Sequence, residues 1–130
     1  MKVDSPSFID LGFATVKMRD DGIVNTDVFL NESVTLAQAK KLLAAYLKVT
    51  EGIKTPHLFT MTKLAIMEAD VMGFIANTAN KHGKADAFVI HSLPQKILGN
   101  FYLKFKSPQI PTHFFNSKEK AIQWLNQYKI

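Results

Sequence analysis

The chain has 130 residues, 47% of them hydrophobic, with no cysteine and a formal net charge of +5. That length suits one domain burying about two-thirds of its unfolded surface without disulfide or metal staples; the missing cysteines exclude thiolate catalysis, disulfides and cysteine-type zinc sites. Lys plus Arg stands against Asp plus Glu at 8 to 9 over residues 1–80 and 8 to 2 over residues 81–130, so −1 gives way to +6.

The lysines of the basic half are dispersed, and Arg19 is the only arginine of the chain. Nucleic-acid interfaces favour arginine forks, so no nucleic-acid partner is expected. No apolar run reaches the roughly 18 residues of a membrane span, and no signal-peptide pattern opens the chain. A soluble cytoplasmic protein is the expectation.

In chain order, residues 1–7 read as a loosely docked or disordered arm. Phe8–Arg19 and Ile23–Leu30 predict an antiparallel hairpin turned by Asp20-Asp21-Gly22. Thr35, with Gln38 three residues on, is a capping box opening a helix. Its apolar stripe is Leu36, Ala39, Leu43, Tyr46 and Leu47, and Gly52 closes it. Leu58–Met61 predicts a short strand, Thr62–Met67 a connection, and Glu68–Lys81 a second helix with Val71, Phe74, Ile75, Thr78 and Ala79 facing inward. His82-Gly83 ends that helix. Ala87–His91 is a continuous apolar run, as an internal parallel strand requires.

Ser92 caps a third helix, with Gln95 at the capping-box position and Pro94 in the tolerant first turn. Leu93, Ile97, Phe101 and Phe105 recur every four residues, widened by Leu98 and Tyr102, and predict a buried face. Gly99 costs that helix about 1 kcal/mol relative to Ala and implies close packing against a neighbour. Ser107-Pro108 ends it. Pro111 restricts the strand Thr112–Phe115 to an edge or a first position. Asn116 is the expected cap of a last helix, with Glu119 at its third position and Ala121, Trp124, Leu125 and Tyr128 as its stripe. The whole, residues 1–130, is a single α/β domain of order β-β-α-β-α-β-α-β-α. Its mixed sheet is mostly parallel after the first strand, with helices packed on it.

That order resembles the SpoIIAA-like, or STAS, family. The ending carries most of the likeness: Gly99-Asn100-Phe101, Pro108, Pro111-Thr112, Phe114-Phe115, then Glu119 through Ala121, Trp124 and Leu125. It is similar to uncharacterised single-domain STAS/SEC14-like relatives, in which a PVRLF-like strand precedes an acidic helix containing Ala and Trp-Leu. The resemblance implies a SpoIIAA-like fold. In the anti-sigma-factor antagonists of that family, a phosphorylatable serine sits in an Asp-Ser-Ser/Thr-Gly-like turn at the start of the helix after the third strand. Residues 60–70 here lack that motif, and Glu68 or Ala69 stands at the phosphoacceptor position. Thr60 and Thr62 are the hydroxyls nearby. The resemblance implies a non-enzymatic regulatory or protein-interaction module without the serine switch. Its partner surface would be Thr62, Met67, Glu68, Ala69, Asp70 and Met72.

No motif carries chemistry. His57, His82, His91 and His113 form no helical ligand pair. No glycine-rich phosphate loop or GxSxG elbow occurs, and Asp20-Asp21 is better explained as turn chemistry. No catalytic, cofactor-binding or metal-ligating residue is nominated; no enzyme activity or cofactor is expected, and an enzyme would have to act through residues no motif reveals. Phe101, Tyr102 and Phe105 either fill the core or form an exposed apolar patch, for a homodimer or partner, or a pocket for an apolar or lipid-like ligand. Lys104 and Lys106 beside them would suit acidic headgroups or an acidic protein rim. Met61, Met67 and Met72 could line an adaptable contact surface or fill gaps in the core.

Overall fold

In the computed structural model, which describes residues 7–129, the chain opens as a three-stranded antiparallel meander. Its strands are β1 (Phe8–Asp10), β2 (Ala14–Met18) and β3 (Val24–Val28). The predicted first strand is therefore two. Asp10 Oδ1 accepts the Gly12 N–H at 2.8 Å, and Gly12 takes φ +87°, which reverses the chain between β1 and β2. The turn after β2 sits at the predicted acidic pair, where Arg19 and Asp21 bond side chain to side chain at 3.0 Å. The predicted arm falls, apart from Ser7, outside the described residues.

A short strand β4 (Ser33–Val34) leads into α1 (Leu36–Thr50). Both halves of the Thr35–Gln38 capping box form, and the helix ends through Glu51 and Gly52, both in the left-handed region. Then follow β5 (Pro56–Met61), β6 (Ile66–Met67), which pairs with β4, and α2 (Ala69–Phe74). A π-helical turn over Ile75–Ala79 and a 3₁₀ turn over Asn80–His82 extend α2. The chain ends with β7 (Ala85–Val89), α3 (Leu93–Phe101) with its π-helical extension Tyr102–Lys106, β8 (Thr112–Phe115) and α4 (Lys118–Asn126).

The main sheet runs β1-β2-β3-β5-β7-β8, antiparallel as far as β3 and parallel beyond it. The mixed, mostly parallel α/β architecture expected from the sequence is thus present, with an added strand at its start and the small β4–β6 pair. β8 is an edge strand, as Pro111 requires. One correction concerns α4: Ser117, not Asn116, is its cap, with Oγ accepting the Lys120 N–H at 3.3 Å. Ser117 holds the extended backbone a cap needs (φ −145°), while β8 pairing runs on to Phe115, whose carbonyl accepts Ile90 N–H.

Strand alternation sorts the two cores. Val24, Thr26 and Val28 of β3, His57, Phe59 and Met61 of β5, and Asp86 and Phe88 of β7 face α1, α2 and α3. Leu58, Ala85, Ala87 and Val89 face Ala121 and Leu125 of α4. Tyr46, His57, Phe59, Phe88 and Phe114 form a ladder of neighbouring rings, with successive centroids 4.6, 4.0, 4.5 and 4.9 Å apart.

Candidate interaction surface

The rotation of α3 is set by three residues on one side of it. Gln95 is buried, and its Nε2 donates to the Thr62 and Ala65 carbonyls, each at 2.8 Å. Its Oε1 accepts the His91 N–H at 2.7 Å instead of closing a capping box on Ser92. Gly99 lies against the Phe114 ring, and Tyr102 is buried beneath the helix. Because the connection after β5 needs the Gln95 amide for its carbonyls, that side must face inward.

The opposite side carries the four-residue row, which the periodicity assigned to the core. Leu93 is 68% exposed, Ile97 58%, Phe101 37% and Phe105 62%. This corrects the sequence expectation: a period shows that a face exists, not which way it points. Tyr102, at 2%, does not belong to the surface patch with Phe101 and Phe105. The π-helical turn affects the row directly. In an α-helix residues four apart drift round the axis, and the wider i→i+5 turn swings the drift back. Phe101 and Phe105 consequently sit with ring centroids 4.9 Å apart.

The row spans about 18 Å of helix at 1.5 Å per residue. Leu103 and, on the connection tied to Gln95, Leu64 are also exposed apolar side chains. Lys104 Nζ lies 5.5 Å from the Phe105 ring centre and Lys106 Nζ 5.7 Å from that of Phe101, so two ammonium groups rest on the aromatic end. No acidic residue occurs from 87 to 118.

The surface expected at the start of α2 is only partly a surface. Glu68, Ala69 and Asp70 are exposed, Thr62 and Met67 half-buried, and Met72 is buried in the core at 4%. Met72 is therefore core packing, since α2 turns it towards the sheet with Val71. The Thr62 hydroxyl donates to the Leu30 carbonyl. Glu68 stands at the N-cap without a side-chain cap bond, and neither it nor Ala69 carries a hydroxyl.

A buried polar cluster lies between α1, α2 and the sheet, and no sequence motif announced it. Its one signal is a carboxylate inside the otherwise apolar strand Ala85–Val89. Thr26 Oγ1 is 2.6 Å from His57 Nε2, and Asn80 Nδ2 donates to Asp86 Oδ2 at 2.8 Å. Asn80 Oδ1 accepts the Gln109 and Ile110 N–H groups, anchoring the segment before β8. His57 Nδ1 and Asp86 Oδ1 are 4.0 Å apart, yet this is no ion pair at neutral pH: burial pushes His57 down to about 3. Burial also pushes Asp86 up to about 7, against the Asn80 hydrogen bond, which favours its anion. His91 and His113 are exposed and remote in role from this cluster. Among the described residues, no three His, Asp or Glu side chains converge to hold a metal ion.

Two spaces adjoin beneath α2, sharing Met67 and Ile75. One is bordered by His57 and Asp86, the other by Tyr102 and Phe114, and each has a volume of about 40 Å³.

A family model described as a domain of unknown function, DUF7793, matches residues 16–129. The chain belongs to this family. No curated protein matches the DUF7793 chain. Among solved structures it is similar to an uncharacterised protein of the DUF3478 family from Shewanella loihica PV-4, whose crystal structure has a SpoIIAA-like fold. The TM-score is 0.58 at 16% identity, covering 86% of this chain and 91% of that one. The DUF7793 chain thus has the SpoIIAA-like fold that its element order and C-terminal pattern implied. No helix among its described residues is long and apolar enough to cross a membrane.

Proposed function

We propose that this protein is a non-enzymatic protein-interaction module whose contact surface is the outer row of α3. The observation that carries this is the exposure of Leu93, Ile97, Phe101 and Phe105 on a helix that packs through Gln95, Gly99 and Tyr102 on its other side. Isolated exposed apolar residues are ordinary, whereas four large ones in one contiguous row mark a contact site. The spaces beneath α2 are sized for water molecules rather than an acyl chain, which favours surface contact over an enclosed apolar ligand.

The test is affinity capture from cells expressing the protein at native level, beside the variant Ile97→Ser/Phe105→Ser. A specific protein retained by the wild type and lost by the variant is the expected result. An identical set of proteins with both, or no specific protein with either, overturns the proposal.

A further inference from the structure

We infer that the α3 row receives an acidic amphipathic helix of a partner protein, an assignment that rests on the interaction reading above. Leu93, Ile97, Phe101 and Phe105 form a single i±4n ridge. Such ridges seat in the grooves between the corresponding rows of another helix, crossing at about −50°. A bilayer offers no grooves and takes up a broad apolar face. Here the row is narrow, and exposed Lys96 and Asn100 interrupt the helix surface around it.

Charge then selects among helices. Lys96, Lys104 and Lys106 lie on this segment, and the stretch from residue 87 to 118 has no carboxylate to balance them. Among the described residues, none of the three lysines has a carboxylate within 4.0 Å. A second copy docking symmetrically through the same ridge would set these lysines against each other, and like charges across an interface cost affinity. Glutamates flanking the apolar stripe of a partner helix would meet Lys104 and Lys106 at the ends of aromatic side chains they already cover. A ridge about 18 Å long on a helix about 10 Å across presents roughly 200 Å², far less than the roughly 800 Å² per partner of a stable pair. The contact is therefore reversible, and its affinity falls with salt.

The experiment titrates the full chain into labelled designed helices of about 20 residues, long enough to be helical alone. One peptide has a leucine stripe with glutamate rims and its sister has lysine rims. Vesicles of phosphatidylserine with phosphatidylcholine, and sedimentation equilibrium of the protein alone, run in parallel. The glutamate-rimmed peptide is expected to bind at least tenfold more tightly than its sister, to lose binding with Ile97→Ser/Phe105→Ser, and to weaken several-fold with Lys104→Gln/Lys106→Gln. Equal binding of both peptides overturns the acidic assignment. Ridge-dependent vesicle binding without peptide binding assigns the surface to a membrane instead, and ridge-dependent dimerisation assigns it to a second copy. If no probe binds while native capture still yields a ridge-dependent protein, the acidic helix is wrong and the interaction module stands. If capture fails as well, both fall.

Discussion

Gly99 and Phe114 pack so closely that a Cβ on Gly99 would stand 2.9 Å from Phe114 Cε2 and 3.0 Å from Cδ2. The contact joins α3 to the edge strand β8. It also lets Tyr102, three residues on, tuck beneath the helix, with its ring edge-on to both Phe88 and Phe114.

Gly99→Ala sets two effects against each other. Alanine improves helix propensity by about 1 kcal/mol, while forcing a methyl into a packed contact costs about 1–3 kcal/mol. Phe114 is stacked on Phe88 at 4.9 Å, so its ring yields only by disturbing that stacking. The clash should win, with a net loss of about 1 kcal/mol in urea unfolding. A more stable variant would show that the α3–β8 contact is looser than described.

The His57–Asp86 pair predicts a specific pH signature. Between about pH 4 and 6.5 the unfolded chain holds a proton on His57 and none on Asp86, and the folded chain holds the reverse. The proton counts balance, so the wild-type pair adds almost no slope to stability in that window. Asp86→Asn leaves His57 alone. Its folded pKa is depressed, so its contribution is present above about 6.5 and is lost on acidification toward 3, at about 1.4 kcal/mol per pH unit. His57→Gln leaves Asp86, whose folded pKa is raised. That contribution is present below about 4 and is lost as pH rises toward 7, a slope of opposite sign. Unfolding free energies at half-unit pH steps check both signs, and two flat profiles would refute the assigned protonation states.

Tyr102 is 2% exposed, and its hydroxyl has no hydrogen-bonding protein group within reach among the described residues. A buried hydroxyl left without a partner costs about 1–3 kcal/mol. Tyr102→Phe keeps the ring packing and should raise stability by about 1 kcal/mol in urea unfolding. A loss of similar size would mean that the hydroxyl is satisfied by a bound water.

Much of this architecture was readable from local chemistry. Thr35 with Gln38 marked the start of α1, Ser92 that of α3, and Pro111 confined β8 to an edge. The break between β1 and β2 was also written locally, as Asp10 two residues before Gly12, but a lone glycine in an apolar run does not outweigh the run. The direction α3 faces could not be read in this way. Its Leu93–Phe105 row is the more hydrophobic of its two sides, yet the side that packs is the one carrying Gln95 and Gly99. The connection after β5 needs an amide for its carbonyls, and Phe114 needs a gap in which to lie. Those demands come from residues 15 to 33 positions away in sequence, beyond the reach of a periodicity argument. Asp86 went unmarked for a related reason: its partners His57 and Asn80 arrive from other elements.

The most direct measurement is the urea unfolding free energy of Ile97→Ser/Phe105→Ser against wild type. With both side chains facing outward, the variant should unfold within about 0.5 kcal/mol of wild type per substitution and with an unchanged m-value, as surface replacements do. A loss of several kcal/mol, the mark of truncated core side chains, would place the row in the core and remove the contact surface on which the proposed function depends.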